Sequence, residues 1–199
     1  PMLRQPDRLS VEVLDDSRRL DRGALAWLIN HIQTAVRKLG GLGEIRIRIV
    51  EDEAMAAAHL EFAEVPGTTD VLTFDMSDPD DQPEGWGVDP AVFEPETVSD
   101  PAWRAATVVV LDVDLMLCID EAERRGAVAG HTREKELLLY AVHGVLHCLG
   151  HDDHDEEAAG VMHRVEDAVL GAIGVGAVYA PGLAAEESDA ARGGGPAAG

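Results

Sequence analysis

Apolar side chains recur along this chain with two different periods, and the switch between them marks out the elements. Ile45, Ile47 and Ile49 alternate with Glu44, Arg46 and Arg48, which is the period-two pattern of a half-buried strand. Leu9 to Leu14 alternates more loosely and predicts another strand. Between them, Leu20, Ala24, Trp27, Leu28, Ile32, Ala35, Val36 and Leu39 form a helix-period stripe over Arg18 to Leu39, stopped by Gly40 and Gly41. An Ala-rich run from Glu53 to Phe62 predicts a short helix by propensity. Pro66-Gly67 then marks a turn before a strand over Val71 to Phe74. Trp27 and Phe62 are expected in the core, not as a stacking platform.

Beyond Ser77 the pattern breaks down. The stretch from Ser77 to Ala105 is acidic and rich in proline, which predicts an irregular surface loop in which Trp86 is either a lid residue or, the favoured reading, an anchor. Thr107 to Leu111 reads as a strand that Asp114 to Cys118 continues or follows, and Asp120 to Arg125 reads as the start of a helix. Thr132 is a suitable N-cap for a helix over Glu134 to Leu149 that is apolar almost all round and therefore buried. A last helix over Asp155 to Ile173 turns Val161, Met162, Val165, Ala168, Val169 and Ala172 inward. The expected architecture is α+β, a mixed sheet of about four strands packed with helices around a central buried helix. It forms a single domain over 1–180, and the Gly-, Ala- and Glu-rich segment 181–199 is expected to be a disordered tail.

The buried helix carries the chemistry. His143 and His147 are four residues apart, so they share one helix face and their imidazoles can meet on one cation. Gly150 suits a left-handed residue just past the helix end, after which the chain can double back toward that face. In the zinc-hydrolase pattern H-E-x-x-H-x-x-G-x-x-H the third ligand comes six residues after the second histidine. That position is Asp153, with His154 one further on, so Asp153 is favoured by spacing and a one-residue bulge would select His154. Two histidines on an apolar helix can also be satisfied core groups. Left unpaired, each would cost about 1–3 kcal/mol, a cost that a shared metal removes. The ligand types favour one Zn2+ per chain, with nickel and other transition ions competing for imidazole. Zinc peptidases place a general-base glutamate directly after the first histidine. Gly144 stands there, which disfavours a peptidase.

Composition sharpens the picture in one respect. The 199 residues include 38 Asp and Glu against 16 Lys and Arg, a net charge of −22, whereas nucleic-acid binders usually show a basic footprint. Short basic pairs such as Arg46 and Arg48, or Arg124 and Arg125, leave a local basic groove open. No apolar run is long enough to span a membrane, the first residues are polar and unlike a secretory signal, and two unpatterned cysteines fit a reducing compartment. A cytoplasmic location is expected.

His143-Gly144-Val145-Leu146-His147 followed by Leu149-Gly150 resembles the H-G-x-L-H-x-x-G signature of the YbeY family of bacterial metal-dependent endoribonucleases. Thr69-Asp70-Val71-Leu72-Thr73-Phe74 is similar to that family's T-D-V-L-S-F strand, and Asp114-Leu115-Met116-Leu117 to its D-I-x-I strand. Glu136 stands where the family has a glutamate seven residues ahead of the first histidine. The resemblance runs from about residue 9 to residue 175. It implies the same α+β fold and a metal held by His143, His147 and either Asp153 or His154. It also implies cleavage of single-stranded RNA in 16S rRNA 3′-end maturation and ribosome quality control. The partners implied are rRNA and ribosomal particles, with no DNA and no membrane. Glu136 is a candidate to orient a ligand or handle a proton, or else to make a structural helix-to-sheet hydrogen bond. Asp70 is a candidate partner of a ligand.

Three features depart from the family. Its third ligand is a histidine in G-Y-D-H, where this chain has Gly150-His151-Asp152-Asp153-His154. A family arginine that contacts RNA is replaced by Ala63, a loss for which Arg46 or Arg48 is the candidate substitute. The loop over 77–105 is longer and more acidic. The competing readings are a ribosome-assembly or RNA-chaperone factor with a structural zinc, and a zinc hydrolase of a small or peptide substrate. A fourth protein ligand, such as His151, would mark a structural site.

Overall fold

The computed structural model describes residues 8–78, 108–151 and 153–179. The expected 77–105 loop beyond residue 78, with Trp86, the predicted strand start at Thr107, and the 181–199 tail lie outside them. The first strand, β1 (Leu9–Asp15), is followed by α1 (Arg22–Lys38), β2 (Gly41–Val50) and α2 (Asp52–Ala63). Then come β3 (Val71–Asp75), β4 (Val109–Cys118), α3 (Ile119–Ala129), α4 (Arg133–Cys148) and α5 (Glu156–Ala172). The four strands form one sheet in the order β1-β2-β4-β3. β1 and β4 run parallel to β2, whereas β3 pairs antiparallel with β4, so the sheet is mixed and the fold is α+β.

Alternation sets the two faces of the sheet. Ile45, Ile47 and Ile49 of β2 and Val113, Leu115 and Leu117 of β4 are buried under the helices. Arg46 and Arg48 point to the other face, where Arg46 pairs with Asp112 and Asp114 of β4 and Arg48 with Asp16. The predicted 107–111 and 114–118 pieces of strand are, within the described residues, the single strand β4.

Three expectations need correction. The first helix begins at Arg22, not Arg18, because the Asp15 carboxylate gathers the intervening residues into a turn. It accepts hydrogen bonds from Ser17 Oγ and from the backbone N–H groups of Arg18 and Leu20. Asp21 then caps the helix by accepting from the Ala24 N–H at 2.8 Å. Phe62 is exposed, outside the core. α2 buries Met55 and Ala58, and by its last turn it has run past the small cluster that Met55 forms with Val50 and Cys118. Phe62 meets Phe74 of the edge strand β3 edge-on, at a centroid distance of 5.0 Å. Trp27 does pack against the main core. In α5, Ala172 is exposed and Leu170 takes an inward position.

α4 is the centre of the fold. Thr132 caps it by accepting from the Lys135 N–H at 3.3 Å, and residues from Glu136 to Leu146 are buried with the sole exception of His143. It packs against β3 and β4 on one side and against α1, α3 and α5 around the rest. The closest approach to the sheet is at Gly144. A Cβ there would sit 2.7 Å from Leu115 Cδ2 and 2.7 Å from Thr73 Oγ1, so any larger residue must lift the helix or displace both neighbours. Gly144→Val is therefore expected to destabilise the domain by about 1–3 kcal/mol, the usual cost of overpacking. Urea denaturation checks this, as a lower midpoint at unchanged slope; a midpoint equal to that of the unmodified protein would remove Gly144 from this role.

Candidate metal centre

The end of α4 is closed by backbone geometry that serves the site directly. Gly150 adopts φ of 88°, the left-handed conformation expected at this position. Its N–H donates to the His147 carbonyl at 3.0 Å, and the His151 N–H donates to the Leu146 carbonyl at 3.0 Å. These two bonds make a Schellman closure. It brings the carbonyl of His151 back over the helix end, 3.0 Å from His147 Nδ1. That nitrogen donates to the carbonyl, so the lone pair of His147 is on Nε2.

His143 is oriented in the same way by a carboxylate. Its Nδ1 lies 2.8 Å from Oε1 of Glu166, a residue of α5 that is 0% exposed. Donation to Glu166 leaves the lone pair of His143 on Nε2 as well. The two Nε2 atoms are 3.0 Å apart. Facing lone pairs at that distance repel unless a cation lies between them or one ring takes up a proton. The surroundings favour positive charge: burial works against a charged His143, but the hydrogen bond and negative charge of Glu166 outweigh it and hold its pKa above the usual histidine value.

Asp153 completes the group. Its Oδ2 lies 3.7 Å from His143 Nε2 and its Oδ1 3.9 Å from His147 Nε2. One donor atom from each of His143, His147 and Asp153 falls within 4.8 Å of the others, and these three could hold a metal ion. Two nitrogens and one carboxylate oxygen are a donor set that zinc and other transition ions accept. His154 does not join the group; its side chain is 84% exposed and its Nδ1 lies 3.8 Å from Asp153 Oδ1. The imidazole of His151 is buried, and burial together with the nearby His147 lowers its pKa, but it is not among the converging donors either.

The other candidates are distributed around this centre. Glu136 is buried and pairs with His131 Nδ1 at 2.8 Å, a bond to the turn before α4 and not to the sheet. Asp70 accepts from the Val71 N–H at 2.9 Å and from Thr69 Oγ1 at 3.1 Å, so the carboxylate hydrogen-bonded to a histidine of the group is Glu166 and not Asp70. Arg46 and Arg48 lie across the sheet from α4 and are engaged by carboxylates there. They do not supply charge to this site. His143, Asp153, Asp70 and Glu136 all line one cleft of about 720 Å³, which also runs past Arg125 and Tyr140.

Glu166 was missed by the sequence reading. Its signal was an acidic residue on the inward stripe of α5, directly after Val165 and four residues past Met162. An ionisable group on such a stripe needs a buried partner.

An α+β domain whose buried helix carries two histidines four residues apart belongs to a known class. The family model described as Endoribonuclease YbeY matches residues 11–174, and the chain belongs to that family. Relatives named Endoribonuclease YbeY include one from Nocardioides sp., 33% identical over 165 residues, covering 82% of this chain and 97% of that protein. Another, from Renibacterium salmoninarum, is 32% identical over 171 residues, covering 81% and 91%. A third, from Frankia alni, is 33% identical over 133 residues; the match spans 67% of this chain and 65% of that longer relative. Among solved structures, the solution structure of TM1509 from Thermotoga maritima aligns with a TM-score of 0.46 at 19% identity, over 82% of this chain and 91% of that one.

Loss of the Glu166 charge with its shape retained tests the centre. Glu166→Gln is expected to weaken zinc binding about 10–100-fold, the usual effect of losing a carboxylate behind a ligating histidine. Competition titration against a chromogenic chelator reads this, with circular dichroism as the check on folding. Unchanged affinity in a folded variant would mean that Glu166 does not act through His143.

Proposed function

We propose that this protein is a metal-dependent endoribonuclease that cuts single-stranded RNA in 16S rRNA 3′-end maturation and ribosome quality control. Its substrates are then rRNA in ribosomal particles, met in the cytoplasm. The observation that carries the reading is the pair of facing Nε2 atoms, 3.0 Å apart, with the Asp153 carboxylate beside them at a cleft. Membership of the YbeY family and relatives named as endoribonucleases support RNA as the substrate. Among the described residues no helix is long and apolar enough to cross a membrane.

His143, His147 and Asp153 would hold one Zn2+. When bound, the ion supplies Lewis-acid polarisation of a phosphoryl oxygen and positive charge against the phosphate. The protein's own residues do the rest. Glu166 and the His151 carbonyl hold the two imidazoles in the ligating tautomer, so no reorientation is needed on substrate binding. Glu136, paired with His131 in the cleft wall, is the group to which this reading gives proton transfer, because a carboxylate–imidazole pair can exchange a proton without leaving a bare buried charge. The carboxylate in place of a third imidazole gives the centre one more negative charge, which suits a site that must first attract a cation in order to accept an anionic strand. A count of three converging donors among the described residues favours an open site over a structural one.

Metal analysis and RNA cleavage on the same preparation test this. The expected result is about one zinc per chain, cleavage of single-stranded RNA that stops on chelation and returns on adding zinc, and a folded but metal-free and inactive His147→Ala variant. Undiminished cleavage by chelated protein or by His147→Ala would overturn the reading.

A further inference from the structure

The cleft beside the metal centre carries two groups that the centre does not use. The first is Arg125 of α3. Its Nε donates to Glu121 Oε1 at 2.8 Å, its side chain is 60% exposed, and neither terminal amino group makes a hydrogen bond among the described residues. Its neighbour Arg124 differs: its guanidinium is taken up by Asp52 at 2.7 and 2.8 Å and by Glu121. Arg125 therefore keeps two parallel N–H donors for another partner, and Arg124 does not.

The second group is Tyr140, one turn before His143 on α4. It is 3% exposed, lines the same cleft, and its hydroxyl has no hydrogen-bond partner among the described residues. Buried hydroxyls in a core are nearly always satisfied, so an unsatisfied one on a cleft wall points to a ligand. Burial drives its pKa up, so the phenol stays protonated and can donate. The hydrogen bond to Glu121, and after it the negative charge of Asp70 across the cleft, hold the Arg125 pKa above its usual value. A two-pronged guanidinium and a protonated phenol in the lining of one cleft are donors that match the non-bridging oxygens of a phosphodiester.

We propose that Arg125 and Tyr140 form a phosphate subsite that grips the RNA strand at a phosphodiester neighbouring the one presented to His143, His147 and Asp153. This rests on the endoribonuclease reading for the identity of the strand. Asp70 and Glu136 line the same cleft, and their charges oppose an anion. Donors are therefore required there if a strand is to lie across the cleft at all. The subsite gives an acidic protein a local grip on RNA without a general basic surface.

The test uses the full-length, zinc-loaded protein and a short fluorescein-labelled single-stranded RNA with 2′-O-methyl sugars, followed by anisotropy over a range of salt. Arg125→Gln is expected to weaken binding about tenfold and to reduce the slope of log affinity against log salt by about 0.7, one phosphate contact on a single strand. Arg125→Lys is expected to recover the slope. Tyr140→Phe is expected to weaken binding about threefold with the slope unchanged. An Arg125→Gln variant with unaltered affinity and slope, or unmodified protein that does not bind the RNA, would overturn the subsite. Cleavage assays separate this outcome from the larger reading. Unmodified protein that binds through Arg125 yet cuts no RNA overturns the nuclease and leaves the subsite standing. Protein that cuts RNA equally well with and without Arg125 does the reverse.

Discussion

The contact that governs this molecule is the approach of α4 to the sheet at Gly144. A helix pressed against Leu115 and Thr73 with no Cβ between has its rotational phase fixed. Once Gly144 faces the sheet, His143, about 100° round the helix, and His147, about 60° round on the same side, stand together on the flank of α4, where their Nε2 atoms meet. The apolar faces of α4 then fill the space between the sheet and α1, α3 and α5. The same residue explains why the general-base glutamate of zinc peptidases has no place here. A side chain at 144 would point into the sheet, not at a substrate.

Charge is managed locally in a chain of net charge −22. Many of the acidic groups of α2, α3 and α4 are already engaged. Arg19 joins Asp120 and Glu123, and Arg133 bridges Glu123, Glu134 and the Arg19 carbonyl, which ties the turn before α1 to α3 and α4. Asp52, held by Arg124, has its pKa lowered to about 2 and remains ionised at any ordinary pH. Such exposed pairs contribute little stability individually. Their effect is to leave the cleft with a few uncompensated groups whose positions matter.

Much of this was legible in the sequence. Period-two alternation placed β2, and the H-x-x-x-H spacing with Gly150 placed both histidines and the turn beyond them, because those signals reside in neighbouring residues. Spacing also favoured Asp153 over His154, and the structure brings Asp153 into the donor group. The errors came where tertiary contacts decide. The turn nucleated by Asp15 shortened α1 at its start, and the end of α2 outran its cluster and left Phe62 exposed. The partners of Arg46 and Arg48 lie on another strand or in a following turn, so their removal from the site could not be read from spacing. Glu166 was visible only as an oddity on an apolar stripe. Its partner His143 lies 23 residues earlier, and only the docking of α5 brings them together.

The Glu166 bond reaches beyond the orientation of one ring. Asp153 stands on the short connection between α4 and α5, with one end anchored by the Schellman closure at Gly150 and the other by the Asp155 cap. The span of that connection is therefore set by where α5 lies, and the hydrogen bond that His143 Nδ1 donates to Glu166 is a strut between the two helices. Were an ion held there, its capture and the seating of the final helix would be a single cooperative event: whatever tightened one would tighten the other, and a chain whose last helix was displaced would lose its grip on the cation before any ligand had been altered.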